Sequence, residues 1–176
     1  MIFTETKLSG LFIVELEKHL DERGFNARLW CKRELEDHQL DSEFVQQNMI
    51  YTKIKGTLRG MHYQVTPHEE AKLVRCQKGA ISDVVIDLRS DSATYKQWYG
   101  IELSSKNLKM IYVPQGFAHG FQSLIEDSEI VYFVSAFYTP QVERGIRYND
   151  PAIGIRWPLE VTSISDKDLN WPDFEA

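Results

Sequence analysis

The chain has 176 residues, 43% of them hydrophobic and 26% charged, a balance that fits a folded domain and excludes a disordered or fibrous one. Twenty basic against twenty-six acidic residues leave a net charge of −6. That excludes a general nucleic-acid coat, which needs clustered Lys and Arg, but not a small anion held by a few arginines. Cys31 and Cys76 cannot build a disulfide framework, and the longest apolar run near the N-terminus, residues 11–14, is too short for a signal peptide or a spanning helix. The expectation is one cytoplasmic domain over residues 1–176, with reduced thiols and no membrane contact.

In chain order, period-two or short continuous apolar runs predict strands over 11–16, 44–54, 57–64, 72–77, 80–88, 97–103, 109–113, 119–124 and 129–137. Gly56, Pro67, Lys78-Gly79, the run 89–92 and Pro114-Gln115-Gly116 punctuate them as turns. Residues 32–40 read as a surface helix, with Leu35 among charged neighbours a poor amphipathic stripe. Ser165 opens a short helix over 165–169 with a Ser-x-x-Asp capping signature. Many short strands with few helices predict an all-β sandwich or barrel with a few short peripheral helices.

The stretch Pro114-Gln115-Gly116-Phe117-Ala118-His119 is similar to the second motif of the cupin jelly rolls, a P-x-G-x-x-H turn entering a strand. The first cupin motif carries two histidines one residue apart. Here the corresponding stretch is His62-Tyr63-Gln64, and a glutamine amide is a poor partner for zinc or iron beside imidazole. A metal-dependent cupin using His62, His119 and a glutamate is one reading. An organic acid–base site without metal is the stronger.

Asp21-Glu22-Arg23-Gly24-Phe25, Phe44-Val45-Gln46-Gln47-Asn48 and Gly56-Thr57-Leu58-Arg59-Gly60-Met61-His62-Tyr63-Gln64 then occur in one order with Ala71-Lys72-Leu73-Val74-Arg75. After residues 114–121 come Glu143-Arg144-Gly145-Ile146-Arg147, Asp150-Pro151 and Ser165-Asp166-Lys167-Asp168. From about residue 8 to 168 this series resembles the dTDP-4-dehydrorhamnose 3,5-epimerase family. The resemblance implies a cupin-like jelly-roll homodimer without cofactor or metal. Its substrate would be a nucleotide-linked 4-keto-6-deoxyhexose, inverted at the two carbons flanking the ketone. A proton alpha to a carbonyl leaves readily when a base lies against it and the enolate oxygen meets a positive group; inversion then needs an acid on the opposite face.

On that resemblance His62 is the base, Asp168 the carboxylate that orients it, Lys72 the enolate stabiliser and Tyr132 the acid. Arg23 and Arg59 hold the diphosphate through their planar forks of donors. Gln46, Asn48, His119, Tyr138, Glu143 and Lys167 complete the substrate pocket. The residues themselves add independent hints. Lys72 shares strand parity with Val74 and Cys76, so its ammonium faces an apolar side and needs an anionic partner. Tyr132 and Tyr138 share parity, and Asp83 shares it with Ile81 and Val85. Each residue alone also has a plainer reading: a core histidine, a packed tyrosine, a lysine reaching out at a strand end, a solvated arginine.

Arg59 and His62 lie three apart, so a regular strand would send them to opposite faces; a bulge at Gly60 is required if both serve one pocket. Arg28 and Phe133 stand where the family commonly carries an acidic residue and a lysine. The alternatives left open are a single-site epimerase or ketoisomerase of the same fold, the metal-dependent cupin, and a sugar-binding jelly roll without activity.

Overall fold

The period-two runs fold into two facing antiparallel sheets, in a computed structural model that describes residues 1–174. Strands β1 (Ile2–Glu5) and β2 (Phe12–Glu15) are followed by β3 (Lys18–Asp21) and β4 (Gly24–Ala27), then helix α1 (Lys32–Asp37). Next come β5 (Gln46–Thr52), β6 (Leu58–Gln64), β7 (Lys72–Lys78), β8 (Ala80–Asp87), β9 (Trp98–Ser104), β10 (Met110–Val113) and β11 (Phe117–Ser123). The chain continues through β12 (Ser128–Val134), β13 (Glu143–Gly145) and helix α2 (Asp166–Leu169). One sheet has the order β1-β2-β10-β7-β12-β5, the other β13-β6-β11-β8-β9, and β3 pairs only with β4. This is the all-β, cupin-like jelly roll with short peripheral helices that the sequence predicts.

Alternation explains why the sheets stack. In β7 Val74 and Cys76, in β8 Ile81 and Val85, in β11 Phe117 and Phe121, and in β12 Ile130 meet in one buried cluster between the sheets. The opposite parity faces outward and is covered separately. Leu73, Met110 and Tyr112 pack under α1 through Leu35, while Val84, Ile86 and Ala118 pack under Ile146 and Ile153. At one end of the sandwich the inward parity turns polar: Lys72, Tyr132, Asn48, His62 and His119 continue the same rows. Polar side chains there cannot interlock as the apolar ones do, and a cavity opens.

Three departures from the sequence reading have simple causes. The β3–β4 hairpin is solvent-exposed along nearly its whole length, so no buried face imposes an alternation to read. Leu35 does not lie on the surface but is fully buried, one apolar side chain sufficing to seat a six-residue helix on the sheet. Strand β12 stops at Val134 rather than continuing to 137, because residues beyond it turn away to meet Gln64 and Gln46.

The loop between β8 and β9 is organised by Asp87, which is wholly buried. Its carboxylate accepts from Arg89 Nε at 2.9 Å and Nη2 at 2.8 Å, from Ser92 Oγ at 2.6 Å and from Thr94 Oγ1 at 2.7 Å. Burial alone would raise its pKa, but these donors outweigh burial and bring it down to about 2. A depressed carboxyl stabilises the fold above its unfolded value of 3.8 and loses that contribution as pH falls through about 2. The shift corresponds to about 2 kcal/mol at neutral pH. Asp87→Asn should therefore lower urea stability at pH 7 by about 2–4 kcal/mol, and should flatten the stability loss that the wild type shows between those two pKa values.

Candidate active site

The site begins with an irregularity in β6. His62 pairs with His119 and Arg59 with Phe121, so three steps along β6 match two along β11, which is a bulge of one residue. Gly60 occupies it with φ +121°, and a Cβ there would lie 2.5 Å from the Cα of Gly120. The extra residue re-aims the strand, and Arg59 and His62 border the same cavity after all.

His62 Nε2 lies 2.6 Å from Asp168 Oδ1, and the second oxygen of Asp168 accepts from the backbone N–H of Gly60 at 3.2 Å. Asp168 itself is placed by Ser165, whose hydroxyl accepts from the Asp168 N–H as the capping signature predicts. Burial pushes Asp168 up, but the bond to His62 and the Gly60 and Ser165 contacts hold its carboxyl below the usual range, so it stays ionised. An ionised partner fixes a donating N–H on one side of the imidazole and leaves the other ring nitrogen free to take a proton.

Two adjoining cavities, of about 400 and 260 Å³, share His62, Lys72 and Tyr132 in their walls and meet at those three side chains. Gln46, Asn48, Tyr138 and Glu143 line the larger; Arg59, His119, Lys167 and Asp168 line the smaller. Lys72, only 8% exposed, meets its anionic partner in Glu70 at 3.0 Å. His119 is held by the buried Asp83 at 2.9 Å and Lys167 by Glu143 at 2.5 Å. Arg59 instead donates to neutral oxygens, Thr52 Oγ1 and Tyr51 O, which leaves its charge available to an anion. Burial, reinforced by Glu70, raises the Tyr132 phenol above its ordinary value, so it is protonated at neutral pH. Tyr138 lies past the end of β12, yet its hydroxyl donates to Glu143 at 2.7 Å and its backbone N–H to Gln46; a turn, not strand parity, brings it to the cavity.

Gln64 is spent on the scaffold: its amide donates to His68 O and Phe137 O and accepts from Thr139 N–H at 2.6 Å. Among the described residues no group of three or more His, Cys, Asp or Glu side chains is arranged to hold a metal ion. Arg23 stands apart from both cavities, at the tip of the β3–β4 hairpin with its guanidinium on Asp21. Arg28 is likewise remote and pairs with Glu34, while Phe133 faces outward against Trp30 and Phe44.

The family described as dTDP-4-dehydrorhamnose 3,5-epimerase matches residues 5–176. The chain belongs to that epimerase family. It is 40% identical over 171 residues to the dTDP-4-dehydrorhamnose 3,5-epimerase of Shigella flexneri, covering 97% of this chain and 94% of the relative. Its fold superposes on the crystal structure of the Elizabethkingia anophelis enzyme with a TM-score of 0.96 at 37% identity, over 99% of this chain and 96% of the other. The Bacillus anthracis enzyme, crystallised with TDP and PPi bound, superposes with a TM-score of 0.94 at 38% identity, over 98% and 99%.

Two groups beside the site escape sequence reasoning: Glu70, which lines the larger cavity, and Trp171, which lines neither. Glu70 lies in the loop just ahead of β7, which begins at Lys72, so strand parity does not reach it. Trp171, whose ring lies 6.2 Å from that of His62, comes from a segment with no periodic pattern to read. The bulge is testable on its own. Gly60→Ala forces a side chain into the Gly120 backbone at a positive φ and should cost more than about 1 kcal/mol in urea unfolding, with activity falling faster than stability because His62 moves with the strand.

Proposed function

We propose that the joined cavities bind a dTDP-linked 4-keto-6-deoxyhexose and invert C3 and C5. The observation that carries this is a base and an acid on one continuous cavity: an imidazole oriented by an ionised Asp168, and the protonated phenol of Tyr132. The free ring nitrogen of His62 takes the proton from the carbon beside the ketone, and the electron pair moves onto the carbonyl oxygen as an enolate. The Lys72 ammonium, held near the cavity wall by Glu70, stabilises that charge. Tyr132 then delivers its proton to the carbon from the other face; once solvent has taken the proton from His62 and returned one to the Tyr132 phenolate, the process repeats at the second carbon. Arg59, which lines the smaller cavity with Lys167, offers the diphosphate a bidentate donor, and the Bacillus anthracis relative, crystallised with TDP and PPi bound, supports a nucleotide as part of the ligand. Gln46, Asn48, Tyr138, Glu143 and His119 supply the remaining polar contacts.

The reaction is read directly by incubation with dTDP-4-keto-6-deoxyglucose in deuterated water. Deuterium should enter at both C3 and C5; label at neither carbon overturns the reading. His62→Asn should lower the exchange by about a thousandfold or more. Tyr132→Phe should keep exchange but lose inversion, since solvent can return a deuteron through His62 on the original face. Retained inversion in that variant would remove Tyr132 from its role.

We also propose a homodimer, in keeping with the metabolism of a nucleotide sugar in the cytoplasm. β5 is a sheet edge whose outward side chains include Met49, 62% exposed, and Tyr51, 49% exposed. The β3–β4 hairpin, bearing Arg23, exposes Leu20 and Phe25 as well. A second copy covering these surfaces would bury apolar area and bring Arg23 near a cavity. Sedimentation equilibrium should show a dimer, and Met49→Glu should shift it towards monomer.

A further inference from the structure

Helix α2 has four residues, too few for its own hydrogen bonds to hold its direction, yet it aims the carboxylate that orients His62. Upstream it is tied to the sheet by the bridge between Ser163 and Thr57. What holds it downstream is the segment that follows. Trp171 lies edge-on to His62, the ring centroids 6.2 Å apart and the planes at 67°. Beneath the indole is Gly145, the residue that pairs with His62 across β13 and β6. A Cβ on Gly145 would lie 2.2 Å from the indole, so the ring occupies the space of the absent side chain.

The indole N–H finds no acceptor among the described residues, so the ring's place answers to packing and not to a hydrogen bond. Beyond it the chain is strapped to the outer face of the five-stranded sheet. Asp173 pairs with Arg147 at 2.5 Å, and the Phe174 N–H donates to Asp150. The Phe174 ring meets Tyr95 at 6.3 Å, with Lys96 Nζ 5.3 Å from its centroid. On the cavity side Lys167 Nζ lies 5.5 Å from the indole centroid while it pairs with Glu143.

We propose that Trp171 is a positioning residue for the epimerisation: wedged between Gly145 and His62 and anchored by Asp173 and Phe174, it holds the imidazole edge and keeps α2 where Asp168 reaches that imidazole. The inference rests on His62 being the base. The indole lines neither cavity, and the one substrate-binding group beside it, Lys167, is held independently by Glu143, so loss of the indole acts on the chemical step and leaves substrate affinity in place.

The test is steady-state turnover with deuterium wash-in for Trp171→Ala and Trp171→Phe. In Trp171→Ala kcat should fall about tenfold to a hundredfold with KM within about threefold, and Trp171→Phe, which keeps a ring on Gly145, should return kcat to within about threefold of wild type. Combined with Asp168→Asn, the Trp171→Ala loss should be smaller than in the wild-type background, since both act through one imidazole. A kcat within about twofold of wild type in Trp171→Ala, or a change confined to KM, overturns the proposal. Should that variant not fold, Asp173→Asn frees the strap at its exposed ion pair: a fall in kcat of about threefold at constant KM supports the proposal and an unchanged kcat overturns it. Wild-type enzyme inert in deuterated water would instead remove the base assignment itself, before any Trp171 variant is made.

Discussion

The short contact between His62 and Asp168 joins residues 106 positions apart, and most of the site's order follows from it. The Asp168 carboxylate satisfies the imidazole and the backbone N–H at the β6 bulge, while the backbone N–H of the same residue donates to the capping Ser165 hydroxyl. Asp168 therefore sets the tautomer of the proposed base, seals the irregularity that lets Arg59 share its cavity, and docks the last helix. Taking a carboxylate out of water is costly, and two converging donors, the His62 imidazole and the Gly60 N–H, offset that cost. Asp168 thus remains charged beside the His62 imidazole.

The same economy governs the rest of the cavity. Lys72, His119 and Lys167 each face a carboxylate of their own, in Glu70, Asp83 and Glu143. Such pairs do little for net stability compared with an apolar wall, but they hold the two ammonium groups and the His119 ring in fixed places on the cavity wall. Arg59 is differently placed, with its charge met only by neutral oxygens. A pocket whose other cations are matched and whose arginine is not favours an anion at one end and a neutral ring at the other. That division suits a diphosphate carrying a keto-sugar.

The strands were legible because one face of each is buried: Val74 and Cys76, Ile81 and Val85, Phe117 and Phe121 repeat every second residue. The same parity exposed Lys72 and Asp83 as inward polar groups. It failed for Tyr138, which a turn delivers, and for the β3–β4 hairpin, where neither face is buried. Glu70 was out of reach because it precedes the strand whose parity found Lys72. Trp171 was out of reach because its position depends on a glycine 26 residues earlier in another strand.

By itself the sequence determined the sheet-forming runs, the Ser165 cap, the unsuitability of Gln64 as a metal ligand and, through its ordered motifs, the family. These are local properties of parity, capping and side-chain chemistry, and they survive without knowledge of neighbours. Only the tertiary structure decided which cation faces which carboxylate, that the Gly60 bulge turns Arg59 and His62 towards one cavity, and that Arg23 stands outside it within one chain. Those depend on register and on contacts between distant segments. A single residue of slip at the bulge would reverse them while leaving every local pattern intact.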